Sequence, residues 1–355
     1  MNLAREIARR HNRFYEATSR MTQPQTRSII AAQPGDLATD DTGYVAGIDI
    51  GGTNLRLVLA NMSGTVVAKY SASTTNVRDP NDVMTLISDG VKHLLREVSA
   101  PRGALKAVAA GAPGITDVDA GVVIATSYLM GWRDVPLRAM LEDALDAPAV
   151  VDNDVNLAAI GESWVGAAKE TRDFVFLAIG TGVGAGIVLN GSPFRGTNWT
   201  AGEIGYMLVP GIPDRPYSRG NPGALESVIG GEGIKAQWQS LWCADSTALP
   251  KNLTATEIFD HALAGDALAQ TILDLSARLL SYAIYDIHLV LSCPLFVLGG
   301  GVGTHRGFCD ATQNMLAQQN MRNRPILKCS MLGADAQIIG ALRLALDTTG
   351  IRARS

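Results

Sequence analysis

The stretch "FVFLAIGTGVGAGIVLNGSPFRG", residues 174–196, holds three apolar runs of strand length. A glycine turn separates the first two, and Asn190-Gly191, a dipeptide that favours tight hairpins, separates the last two. The same plan occurs upstream. There "YVAGIDI" (44–50), "LRLVLANM" (55–62) and "TVVAKYSAS" (65–73) read as consecutive strands, with Gly51-Gly52 and Ser63-Gly64 as the turns. Two strand-turn-strand-turn-strand units, each with a glycine loop after its first strand, imply an internal duplication and two α/β lobes facing each other. Unrelated hairpins have no reason to share turn spacing.

Working outward, the first unit is followed by an amphipathic helix, "PNDVMTLISDGVKHLLREV" (80–98), a strand at 106–114, a helix near 136–145 and a buried strand, "APAVV" (147–151). That strand runs into "VVDNDVNLAAIGES" (150–163), where Asp152-Asn153-Asp154 precede a helix. The second unit is followed by a Pro/Gly-rich loop (211–224), a largely helical stretch (257–291), a strand ending in "LGGGVG" (298–303) and a terminal helix. The expected division is an N-terminal extension (1–43), a small α/β lobe (44–152) completed by the C-terminal helix (333–348), and a large α/β lobe (153–332).

A chain of 355 residues is long enough for two cores with a cleft between them. Its net charge of -4 argues against broad nucleic-acid binding. Cys243, Cys293, Cys309 and Cys329 show no CxxC spacing, so reduced, mostly packed thiols in a cytoplasmic protein are expected. No apolar run reaches transmembrane length, and the N-terminus lacks a secretory h-region. The Arg-rich segment 3–20 reads as a short, broken helix docking on the body or on a second subunit.

"GIDIGGTNLRLVLA" (47–60) is not a Rossmann fingerprint, because its glycines close a hairpin instead of opening a helix. Such a turn brings the backbone of Gly51 and Gly52 and the Thr53 hydroxyl to a phosphate, while Asp49 at the strand end can hold Mg2+ through water. The loop Gly180-Thr181-Gly182, continued by Gly184, repeats the device, and two such loops suit ATP across a cleft. Gly300 and Gly301 let a flat nucleoside approach the backbone. Each motif also has a purely structural reading as a turn. One of the two aspartates of Asp152-Asn153-Asp154 can accept a hydroxyl proton, or cap the helix that follows. Glu203 in "TAGEIGYM" and Glu226 in "GALESV" are carboxylates suited to sugar diols, or solvated loop charges.

Taken in order, "GIDIGGTNLRLVLA", "AAGAPGITDVDAGVVIATSYLMGWRDVPL", "VDNDVNLAAIGE", "IGTGVGAGIVLNGSPFRG", "TAGEIGYM", "GALES" and "VLGGGVG" resemble the motifs of the ROK family of sugar kinases and regulators, over residues 45–347. The resemblance implies two ribonuclease-H-like lobes of the actin and hexokinase type, with ATP and sugar in the cleft. It implies Asp154 as general base, Asn153, Glu203 and Glu226 as sugar ligands, Asp49 and the turn through Thr53 for Mg2+ and phosphate, Gly180 to Gly184 on the phosphates, and Gly300 and Gly301 at the nucleoside. Asp152 is then a supporting or capping residue. A cytoplasmic, homodimeric glucokinase of glycolysis acting without nucleic acid or membrane is the corresponding expectation.

Three features depart from the pattern. Tyr206 stands where the family commonly has a zinc-binding His, and still offers a hydroxyl to the sugar. The family's cysteine cluster is missing before Glu226, so no zinc is expected. Tyr128 stands where related kinases often carry Asn, which leaves the usual substrate open. Epimeric hexoses differ by one hydroxyl, so fructose, mannose, allose or an N-acetylhexosamine are alternative substrates, and polyphosphate is an alternative donor because glycine loops hold phosphates in either case. A sugar-sensing regulator, or a sugar-binding protein without kinase activity, is the alternative function.

Overall fold

The computed structural model describes residues 43–126, 129, 131–212, 222–243 and 245–350. The expected N-terminal helix, Tyr128 and the middle of the Pro/Gly-rich loop lie outside the described residues. Two five-stranded sheets carry the fold, and they have the same strand order. In the first, β1 (Tyr44–Ile50), β2 (Asn54–Asn61) and β3 (Val66–Ser73) form an antiparallel meander; β4 (Leu105–Ala112) adds parallel to β1 and β8 (Ala149–Asn153) parallel to β4. In the second, β9 (Phe174–Ile179), β10 (Val183–Leu189) and β11 (Ser192–Phe194) repeat the meander, with β12 (Leu295–Gly299) and β13 (Ile326–Cys329) as the parallel strands. The duplication read from the glycine turns is thus the organisation of the molecule.

A third sheet, β5 (Ile115–Asp117), β6 (Val122–Ala125) and β7 (Arg133–Val135), was not expected. Its strands of three or four residues are too short to show a period of two. Helices cover the sheets where their apolar stripes demand it. Pro80–Glu97 opens with Asp79 accepting from Asn81 N at 2.8 Å and Pro80 in the first turn, where its missing N–H costs nothing. Its buried stripe, Val83, Ile87, Val91 and Leu94, packs with Ile48, Leu57 and Trp132 in one core. A second core gathers Trp238, Phe259, Phe296 and Phe308.

Between the two sheets' cores, the Asp154–Val165 and Ala336–Thr348 helices cross at their backbones. A Cβ on Gly340 would sit 1.7 Å from Leu157 O, and one on Gly161 2.3 Å from Ala336 O. The first helix leans on β10, where a Cβ on Gly186 would fall 2.8 Å from Val155 O; the second leans on β1, where a Cβ on Gly47 would fall 3.0 Å from Ile338 O. Buried Glu162 ties this junction to the segment after β13, accepting from Ala167 N at 2.6 Å and Leu332 N at 3.0 Å.

Because backbone cannot yield at the crossing, Gly340→Ala should destabilise the protein by about 1–3 kcal/mol or more, the usual range for overpacking. Urea denaturation reads the difference against Gly301→Ala, whose added Cβ meets nothing within 4 Å. Equal midpoints for the two variants would show that the crossing is not as tight as described.

Candidate active site

The site forms where parallel strands end. Asp49 on β1 pairs across from Gly111 on β4, and Gly111 pairs across from Asp152 on β8, so the two aspartates flank a glycine at the strands' carboxyl ends. Such ends are where open α/β sheets place ligands. Without a side chain, Gly111 lets the start of the next helix close over β4; its Cβ position lies 3.6 Å from Asp154 Cα.

The three residues of the Asp152-Asn153-Asp154 stretch do different work. Asn153, not Asp152, caps the helix: its Oδ1 accepts from Val155 N at 2.8 Å and Asn156 N at 3.2 Å, while its Nδ2 donates to Gly114 O at 2.8 Å. That leaves Asn153 one amide N–H for a ligand. Asp152 is 1% exposed and holds Arg195 in a two-pronged ion pair, with Nε at 3.1 Å from Oδ2 and a second contact from Nη2. It also accepts from Asn153 N at 2.8 Å and Asn156 Nδ2 at 3.1 Å. Supporting, therefore, describes Asp152, and capping does not. Asp154, first in the helix, has its Oδ1 on its neighbour's amide, Val155 N, at 2.9 Å.

Burial, followed by the charge of Asp49 and, more weakly, that of Glu203, pushes the Asp154 carboxyl up to about 7. Burial also raises Asp49, against the opposing pull of Arg56, whose Nε donates to Asp49 Oδ2 at 2.9 Å. Glu203 is raised by burial and by Glu226, and Glu226 by burial, partly offset by the Val183 N–H it accepts at 2.8 Å. Asp49, Asp154, Glu203 and Glu226 thus form a chain of carboxylates, each sensing the next. Tyr206 ends the short Ile204–Tyr206 turn that follows Glu203 and is exposed.

The glycines divide. Gly51 is fixed by its N–H to Asn54 O at 2.9 Å, and Thr74 braces the turn at Gly51 O and Thr53 O. Gly180 is held by Gly182 O and by Gly231 N at 2.7 Å. Gly52, Thr53, Thr181 and Gly182 keep backbone N–H groups without a partner among the described residues, which is the donor set an anion's oxygens fit. Gly184 lies inside β10, not in the loop, opposite Ala178, where the position of its Cβ is 3.4 Å from Val155 Cγ2. Gly300 adopts φ +80° with Ile179 O 2.4 Å from its Cβ position, so packing accounts for it, whereas Gly301 is exposed with open space beside it. Arg195 and Arg56 were not singled out from the sequence; each is a lone arginine beside a strand or within one, and its carboxylate partner is 43 or 7 residues away.

Two outcomes follow from these contacts. Arg195→Ala leaves Asp152 buried with its charge uncompensated, and should cost about 3–5 kcal/mol in chemical denaturation; a change below about 1 kcal/mol would show the pair to be dispensable. Asp154→Asn should stabilise the fold by an amount that grows as pH rises from the ordinary value of 3.8 toward about 7, then levels off, because the native carboxyl holds its proton more tightly than the unfolded one. Thermal melts at pH 4, 6 and 8 read this, and a constant difference would contradict it.

A model of the ROK family matches residues 45–348. The chain is 34% identical to a glucokinase of Halalkalibacterium halodurans over 270 residues, covering 74% of this chain and 81% of that one. It is 32% identical to a xylose repressor of Caldicellulosiruptor bescii over 188 residues, 53% of this chain and 46% of that one. Among solved structures it resembles the ROK hexokinase of Thermus thermophilus, with a TM-score of 0.72, 27% identity, and 86% and 99% of the two chains covered. The doubled sheet is the two-lobed ribonuclease-H-like fold of those kinases. The chain belongs to the ROK family.

Proposed function

We propose that the protein is an ATP-dependent sugar kinase, with a hexose as acceptor and glucose as the first candidate. The observation that carries this reading is Asp154, a carboxyl whose proton affinity sits near neutrality at the carboxyl ends of parallel strands. A general base works best with its pKa near the working pH. A protein that only senses a sugar, as the likeness to a repressor raises, has no use for such a base.

In this reading a sugar hydroxyl hydrogen-bonds to Asp154, which takes the proton as the oxygen attacks the γ-phosphorus and ADP leaves. Glu203 and Glu226 accept from other ring hydroxyls, Asn153 donates its remaining N–H, and Tyr206 adds a hydroxyl. The free N–H groups of Gly52, Thr53, Thr181 and Gly182 hold phosphate oxygens, and the open face at Gly301 takes the nucleoside. Bound Mg2+ would neutralise phosphate charge, and Asp49 is the residue to hold it through water. The repulsion between Asp49 and Asp154 fits a cation there, since Mg2+ needs only one or two carboxylates beside waters and phosphates.

A coupled ATP assay over glucose, mannose, fructose, allose and N-acetylhexosamines should show turnover with at least one sugar. Asp154→Asn should lower kcat about 10²–10⁴-fold with sugar binding retained by calorimetry. The ratio kcat/KM for the sugar should fall as pH drops through about 7, because the base of the ligand-free protein is then protonated. No turnover with any sugar, with ATP or with polyphosphate, would leave the regulator reading in its place.

A further inference from the structure

Trp199 stands apart from the other tryptophans. Trp132, Trp238 and Trp242 each donate the indole N–H to a backbone carbonyl, those of Arg78, Pro250 and Leu249, at 3.1, 3.1 and 2.8 Å. Trp164 carries the Arg343 guanidinium 5.6 Å from its ring. Trp199 has neither kind of partner among the described residues, and it packs on neither large core. Its backbone is more unusual still. Seven described residues other than glycine have positive φ; six are Asn, Asp or Ser, and the seventh is Trp199, at +61°. A left-handed backbone crowds Cβ against the next carbonyl, so a bulky side chain there is an outlier. Such strain persists where the surroundings fix it, and it gathers at ligand clamps.

The fixing is visible in the loop. Ala201 N donates to Arg195 O at 3.1 Å, and Trp199 N reaches Gly196 O at 3.4 Å. At one end Arg195 is held by buried Asp152, the neighbour of Asn153. At the other, Gly202 O accepts from Ala185 N at 2.8 Å, and Glu203 follows. Trp199 is four residues from Arg195 and four from Glu203, at most about 14 Å of extended chain from either. It is half-buried while Thr197, Asn198 and Thr200 are exposed, so the loop shelters its aromatic residue and leaves its polar ones to solvent.

We infer that Trp199 is a specificity-determining residue of the sugar site, laying its indole against the C–H face of a bound hexopyranose. The inference rests on the sugar-kinase reading and adds to it the group that reads the face of the ring. Asp154, Glu203, Glu226 and Asn153 are all polar and suit the hydroxyls at the ring's edge. None of them suits the face, where C–H bonds make a flat apolar surface. An indole supplies a large flat apolar surface with one N–H at its rim, which fits a ligand that is apolar on one side and wet on the other. An axial hydroxyl on the stacked face would hold the indole away, so the contact separates epimers that hydroxyl ligands alone bind more evenly.

Calorimetry on the full chain without nucleotide, over glucose, mannose, allose and N-acetylmannosamine, finds the sugar bound most tightly. For that sugar Trp199→Gly should raise Kd about 10-fold or more, the scale set by a lost apolar contact in a pocket. The spread of Kd across the four sugars should narrow. Thermal melts should show this variant no less stable than the parent, because glycine adopts a positive φ freely. Trp199→Phe keeps a ring on the same backbone and should retain most of the affinity. In steady-state assays Trp199→Gly should raise the KM for the sugar and leave the KM for ATP unchanged, a split that general loosening of the fold would not give. An unchanged Kd and spread in Trp199→Gly, or a Trp199→Phe protein as weak as Trp199→Gly, would overturn the inference and leave the kinase reading standing. A parent protein that binds none of the four sugars would sink the kinase reading, and the inference with it.

Discussion

Everything in the site depends on two helices crossing with no side chain between them. Gly161 and Gly340 let the Asp154–Val165 and Ala336–Thr348 helices touch backbone to backbone, and Gly186 and Gly47 let the same helices lie flat on β10 and β1. A close crossing buries little apolar area per residue, but it fixes the spacing between the two sheets more firmly than a leucine layer would. Side chains can change rotamer, and a carbonyl against a Cα cannot. The consequence is local as well as global: the helix so pinned is the one that begins at Asp154.

The strand-to-helix step before Asp154 shows how a chain keeps one carboxylate available among many polar groups. Asn153 takes over the cap, which a free aspartate would otherwise serve well. Asp152 is neutralised by Arg195 and fixed by two further hydrogen bonds. A buried ion pair of this kind adds little stability over an apolar pair, but removing either member is costly. Here its effect is positional, since Asp152 and Asn153 absorb the charge and the donors that would compete for Asp154.

Much of the fold was legible in the sequence because it rests on short-range signals. Glycine turns at matching spacing revealed the duplicated meander, and the apolar stripe beginning near Pro80 revealed the helix over it. What escaped notice rests on long-range or very short signals. Arg195 looks like a solvated charge until its partner 43 residues away is known, and the strands of β5, β6 and β7 are too brief to alternate. The alternating glycines at 182, 184 and 186 carried two messages that sequence spacing alone merges. Gly182 belongs to a loop with a free donor, while Gly184 and Gly186, two residues apart on one face of β10, make room for a helix. A strict period of two among glycines is therefore a packing signal wherever a strand continues through it.

The carboxylates at the site are mutually unfavourable by construction. Asp154 is raised by Asp49 and Glu203, and Glu203 by Glu226, so the chain as it stands stores repulsion that only added positive charge, protons or hydroxyl donors can relieve. Each form of relief discriminates. Under the proposed function, a sugar's hydroxyls would donate to Glu203 and Glu226 without adding charge, whereas a cation near Asp49 would lower the proton affinity of Asp154. Binding on the Asp49 side would then prepare the proposed base at Asp154 through electrostatics. The arrangement costs stability, as Asp154 shows by holding its proton, and the rigid crossing at Gly161 and Gly340 keeps the two sides near enough for that coupling to persist.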